Sequence, residues 1–156
     1  DFTNGDAELM SSIMDATDPD LSSFLKSRGG KLIVYHGLSD ALSVATATVN
    51  YFNDMVDTTF EGSFNDANDS SRLFLAPGMG HCGGGPGPNN WDKLVPLVDW
   101  VENGMAPESL TVTHSTDGDI DDERPLCTFP QQARFSGPAG GENNPDNWIA
   151  ENFSCQ

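Results

Sequence analysis

Two short strings in this chain carry the side chains that could act on a substrate: His36-Gly37-Leu38-Ser39-Asp40 and Gly80-His81-Cys82. A carboxylate and an imidazole are the acid–base half of a nucleophilic hydrolase. The acid fixes the imidazole tautomer and balances the imidazolium, and the imidazole moves the proton. Asp40 and His81 fit these two places. Each has a plainer reading beside it: Asp40 precedes a helical pattern, where Asp is a favoured cap, and a lone loop histidine is commonly just solvated. A rival use of the first string makes Ser39 the nucleophile, since Gly37-Leu38-Ser39-Asp40-Ala41 imitates a nucleophile elbow with Ala for the last Gly. Its acid would then have to come from Asp57, Asp66 or Asp69, with no strand to position them. His36, Asp40, His81 and Cys82 are also zinc-ligand types, but their spacing matches no compact metal motif.

The elements around these strings decide which reading is geometrically open. Leu9, Met10, Ile13 and Met14 mark a helical stripe over 7–16, and Asp18-Pro19-Asp20 starts a second helix ended by Gly29-Gly30. Lys31 to Tyr35 is a nearly unbroken apolar run, as in a parallel strand covered on both faces. Residues 41–56 read as a helix, 57–71 as a loop, and Arg72 to Ala76 as a second buried strand. The glycine-rich loop 77–88 follows. Then comes a helix over 91–102, with Pro96 predicting a kink or a late start and Gly104 a cap. Beyond Pro107 the chain reads as mostly irregular, with one strand at 110–114. The acidic run 117–123 reads as a solvated loop. It also lacks the Glu that a calcium loop needs at its twelfth position, since Thr128 stands there.

Strands alternating with helices predict an α/β fold with a parallel sheet and right-handed crossovers. Sites in such sheets gather outside the carboxyl ends of the strands, where Asp40 and His81 both fall. Two strands are too few for an independent sheet of this kind. The chain is therefore expected to supply one edge of a larger sheet, with a small self-contained α+β domain as the other option.

A net charge of −17 from 24 acidic and 7 basic residues argues against nucleic acid as a partner, because phosphate binding needs Lys and Arg. It argues equally against docking on an anionic membrane. No apolar stretch approaches the roughly 20 residues that span a bilayer. Residues 1–4 are neither basic nor apolar, so a secretory leader is expected only outside this chain. Cys82, Cys127 and Cys155 make an odd count, implying a free thiol or a partner elsewhere. With sequons at Asn68 and Asn152 as candidate glycan acceptors, they favour the secretory route.

Gly30 to Asp40 resembles the acid-bearing segment of the tannase and feruloyl esterase family, and Pro77-Gly78-Met79-Gly80-His81-Cys82 with Gly83 to Pro86 resembles its histidine segment. The helix through 97–104, Ala106-Pro107, Arg124-Pro125-Leu126-Cys127, Pro130, Ala133-Arg134-Phe135 and Asn152 to Cys155 are similar as well. The resemblance implies the last strands and helices of an α/β-hydrolase sheet, so that 1–156 is the C-terminal part of a catalytic domain. A missing N-terminal portion would then carry the serine, the oxyanion hole and the lid with its structural calcium. It makes Asp40 the triad acid and His81 the general base. It pairs Cys82 with a cysteine outside this chain, next to the serine, and Cys127 with Cys155. No cofactor or metal is assigned to the chain itself. The implied function is a secreted serine esterase of feruloyl or galloyl esters, partnered through Cys82 by the N-terminal chain of the same precursor. From its position four residues before Asp40, His36 is expected to line the substrate pocket. A chain using Ser39 by itself, or a non-catalytic binding or metal-binding module, is the alternative.

Overall fold

The computed structural model describes residues 4–156; residues 1–3, on which part of the leader expectation rests, lie outside the described residues. Two parallel strands form the centre, β1 (Leu32–Gly37) and β2 (Ser71–Ala76), in register from Leu32 opposite Ser71 to Gly37 opposite Ala76. Between them run α3 (Ala45–Phe60) and α4 (Phe64–Asn68), preceded by α1 (Asn4–Met14) and α2 (Ser22–Leu25). This is the βαβ unit that the apolar runs and the intervening helical pattern predict.

Strand alternation sorts the side chains into two cores. Leu32, Val34, Leu73 and Leu75 face Phe52, Met55, Val56 and Phe60 of α3, with Leu25 and Ala67 completing that layer. Ile33, Tyr35, Phe74 and Ala76 face the other way, against Met79, Leu110, Val112 and Leu126. The residues of that second layer on the far side belong to an antiparallel hairpin, β3 (Ser109–Thr116) and β4 (Asp119–Cys127). Helix α5 (Val95–Asn103) buries Trp100, on which the guanidinium of Arg72 stacks at 5.0 Å.

Three expectations are corrected here. Helix α3 begins at Ala45 and runs to Phe60, so the expected loop over 57–71 is the end of one helix and a second short one. The turn after it is made by Glu61 and Gly62, both at positive φ. Helix α5 starts late, as Pro96 in its first turn allows, with Asp92 Oδ1 accepting from the Leu94 and Val95 N–H groups at 2.9 Å each. Beyond Pro107 the chain is not mostly irregular, since strands β3 and β4 already take up most of 109–127. Asp117-Gly118, both at positive φ, turns the hairpin. The acidic run opens on that exposed turn but is strand from Asp119 on: Asp121 accepts from Thr116 and pairs with His114, and Asp122 accepts from Nε and Nη2 of Arg124. A further antiparallel pair, β5 (Ala133–Phe135) with β6 (Phe153–Cys155), is joined to the end of β4 by the disulfide between Cys127 and Cys155.

Strand β1 pairs with β2 alone, and its other edge has no strand partner among the described residues. Leu42, Val44, Leu94, Val95, Val101 and Met105 are exposed, as is the whole apolar stripe of α1. No helix among the described residues is long and apolar enough to cross a membrane.

Candidate active site

The two strand ends are brought into contact by backbone rather than by side chains. A β-carbon at Gly37 would stand 2.4 Å from the carbonyl oxygens of both Met79 and Gly80, so only glycine lets β1 and the histidine loop approach this closely. The Ser39 N–H then donates to the Met79 carbonyl at 2.9 Å. The loop closes on itself through the Gly80 N–H to the Gly84 carbonyl, and Met79 plugs it into the hairpin-side core.

On this frame Asp40 and His81 meet. His81 Nδ1 lies 2.7 Å from Asp40 Oδ2 across 41 residues of sequence. The Asp40 side chain is 4 % exposed and the His81 side chain 53 % exposed. Asp40 Oδ1 accepts from the Leu42 and Ser43 N–H groups at 2.8 and 3.0 Å. The helix-cap reading of Asp40 is corrected: α3 starts at Ala45 after Val44, and Asp40 Oδ1 instead closes the turn that follows β1, leaving Oδ2 for His81. The Asp40 carboxyl is lowered from 3.8 to about 2. The Ser43 N–H is the main cause, working against the burial that opposes ionisation and helped by His81 and the Leu42 N–H. An ionised carboxylate only accepts, so the proton of neutral His81 sits on Nδ1 and a lone pair on Nε2. That Nε2 has no hydrogen-bond partner among the described residues. A fixed, solvent-facing imidazole lone pair backed by a buried carboxylate can take a proton from a hydroxyl presented to it.

The other candidates fall as follows. Ser39 is exposed, and its backbone is outside the left-handed region, which Glu61, Cys82 and Asp117 occupy among the described non-glycine residues. No helix begins until Ala45, so the sharp strand-to-helix elbow that exposes a nucleophile is not formed at this serine. Cys82 is an exposed free thiol at φ 60, one residue beyond His81. Asn68 is half-buried at the end of α4, and Asn152 donates its amide to the Asn147 carbonyl at 3.0 Å. His36 does not present a free ring nitrogen to a ligand. Nε2 lies 2.9 Å from the Ser43 carbonyl and Nδ1 2.8 Å from Thr48 Oγ1. Thr48 and Ser43 were not singled out from the sequence. The parity of β1, which turns His36 toward α3, was the signal that could have found them.

The family model described as tannase and feruloyl esterase matches residues 1–155. The chain belongs to the tannase and feruloyl esterase family. A hydrolase from Piscinibacter sakaiensis named for mono(2-hydroxyethyl) terephthalate is 42 % identical over 143 residues, 90 % of this chain and 22 % of its own length. A tannase from Aspergillus oryzae is 32 % identical over 151 residues, 88 % of this chain and 26 % of its own. The crystal structure of an esterase from Aspergillus oryzae superposes with a TM-score of 0.81 at 27 % identity, covering 99 % of this chain and 33 % of that one. The fold is thus that of part of a tannase and feruloyl esterase, and the named relatives are ester hydrolases. The chain spans only about a quarter of the length of the curated relatives it matches.

Proposed function

We propose that this chain is the C-terminal part of a secreted serine-type carboxylesterase acting on esters of aromatic acids, to which it supplies Asp40 and His81. The observation that carries the reading is the 2.7 Å contact from His81 Nδ1 to a nearly buried Asp40, with Nε2 left open. The names of the relatives agree on the bond, an ester of an aromatic acid: a tannin, a feruloyl group or a terephthalate monoester.

The serine, the oxyanion hole and the lid belong, in this reading, to an N-terminal portion of the same precursor. The open edge of β1 and the uncovered apolar residues of α1 and α5 give that portion a place to pack. Cys82, exposed beside His81, bridges to a cysteine adjoining the serine. The serine hydroxyl passes its proton to His81 Nε2 as oxygen attacks the ester carbonyl. The imidazolium is balanced by Asp40 and returns the proton to the departing alcohol. Water repeats the cycle and frees the aromatic acid. Asn68 and Asn152 are the proposed glycan sites.

The test is hydrolysis of methyl ferulate and methyl gallate by the assembled polypeptide. His81→Ala and Asp40→Asn should lower kcat on the order of 10⁴-fold, the loss expected when a triad member is removed. Wild-type rates in both would sink the assignment. A non-reducing gel should show a second chain that separates from this one only on reduction; this chain running alone in both lanes would sink the Cys82 bridge.

A further inference from the structure

His36 is the last-but-one residue of β1, and strand parity turns it to the α3 face with Leu32 and Val34. Its side chain is 11 % exposed. Nε2 lies 2.9 Å from the Ser43 carbonyl, which can only accept, so this nitrogen carries the proton. Nδ1 lies 2.8 Å from Thr48 Oγ1, a hydroxyl that can donate to it. Thr48 sits in the first turn of α3, so the ring bridges the end of β1, the Asp40 loop and the start of the helix.

Ser43 is consequently held at both of its backbone groups. Its carbonyl accepts from His36, and its N–H donates to Asp40 Oδ1 at 3.0 Å. The same His36 Nε2–H leans on Asp40 Oδ2 from 3.5 Å, on an oxygen that also receives His81. The carboxylate is thereby confined on one side by two backbone N–H groups and on the other by two imidazoles, of which His81 is the exposed one.

We propose that His36 is a positioning residue. Through its Nε2–H it fixes Ser43, and through Ser43 it sets where Asp40 holds His81. This rests on the esterase reading of Asp40 and His81. A misplacement of Asp40 by about an ångström would cost about 10–100-fold in rate without changing how the ester is bound. This differs from a pocket-lining role, in which loss of the ring would weaken substrate binding.

Three substitutions in the assembled polypeptide separate these outcomes. His36→Gln keeps an N–H near the position of Nε2 and can still reach the Ser43 carbonyl. His36→Asn keeps an acceptor near Nδ1 for Thr48 but loses the Ser43 contact, and His36→Leu loses both. With active sites counted from the acyl-enzyme burst, Leu and Asn should lower kcat about 10–100-fold with KM within about twofold, and Gln should recover most of kcat. Gln no better than Asn would overturn the proposal. So would a raised KM at unchanged kcat in His36→Leu, or a reduced yield of active sites at wild-type kcat in all three. If His81→Ala keeps the wild-type rate, the esterase reading fails first. If His81→Ala is inactive while the His36 variants behave as in the overturning cases, only the positioning role falls.

Discussion

Gly37 and Met79 touch where a side chain would not fit. A β-carbon on Gly37 would lie 2.4 Å from the Met79 carbonyl oxygen. That contact joins the end of the acid strand to the loop bearing the imidazole. It makes a residue without a functional group as important to the site as those that have one.

Gly37→Ala in the full polypeptide should therefore push the two loops apart. The expected result is a kcat lowered by about 100-fold on aromatic esters. Active-site titration of the folded variant checks it. An unchanged kcat would mean that the loops are aligned by something other than this approach.

Met79 is fully buried beneath the same loop, in the layer shared by Phe74, Val112 and Leu126. Met79→Ala leaves a cavity there and should cost about 2–5 kcal/mol. Denaturant titration of the full polypeptide reads the loss. A cost near zero would show that the loop does not depend on this anchor.

The pH dependence of stability follows from Asp40, whose carboxyl is lowered from 3.8 to about 2. A depressed carboxyl stabilises the fold above its ordinary pKa, and the contribution disappears as pH falls through the folded value. Wild type should melt above Asp40→Asn at pH 5 to 7 by a constant margin, and the margin should shrink from about pH 4 down to about pH 2. Melting curves across that range test this. A margin that widens on acidification would reverse the sign and contradict the hydrogen bonds made by the carboxylate.

The disulfide between Cys127 and Cys155 closes a span of 28 residues. Replacing both by Ser should cost about 3–4 kcal/mol in the chain-entropy account. The equilibrium unfolding of the full polypeptide with and without the pair gives the figure. Equal stability would place the hold on the tail in the β5–β6 pairing instead.

The central βαβ unit and the Asp40–His81 pair were legible because their signals are local. Two apolar runs of strand length end in short strings carrying the reactive groups, and parallel sheets place such strings side by side. The first strand of the hairpin was legible over 110–114, but its partner was not legible from hydrophobicity. Strand β4 reads Asp119-Ile120-Asp121-Asp122-Glu123-Arg124-Pro125; Asp121 is held by His114 and Thr116, and the buried Asp122 by Arg124 of the same strand. The Asp117-Gly118 turn was the available clue. The end of α3 was hidden by polar residues, although Phe52, Met55, Val56 and Phe60 keep a helical spacing to its last residue. The contacts of His36 were hidden for another reason: a ring four residues from a reactive carboxylate suggests a pocket wall, and only the parity of β1 shows which way it faces.

Asp40 spends one oxygen on shaping its own loop and the other on its partner across the fold. An amide at this position has a single acceptor: if that oxygen keeps the Leu42 and Ser43 N–H groups, its NH₂ donates to His81 Nδ1 and forces the ring proton onto Nε2, where the lone pair is needed. A longer acid would keep both oxygens but carry them past the Leu42 and Ser43 N–H groups. Engineers seeking to retune this site therefore have no conservative substitution at residue 40 and must work on the groups that surround it.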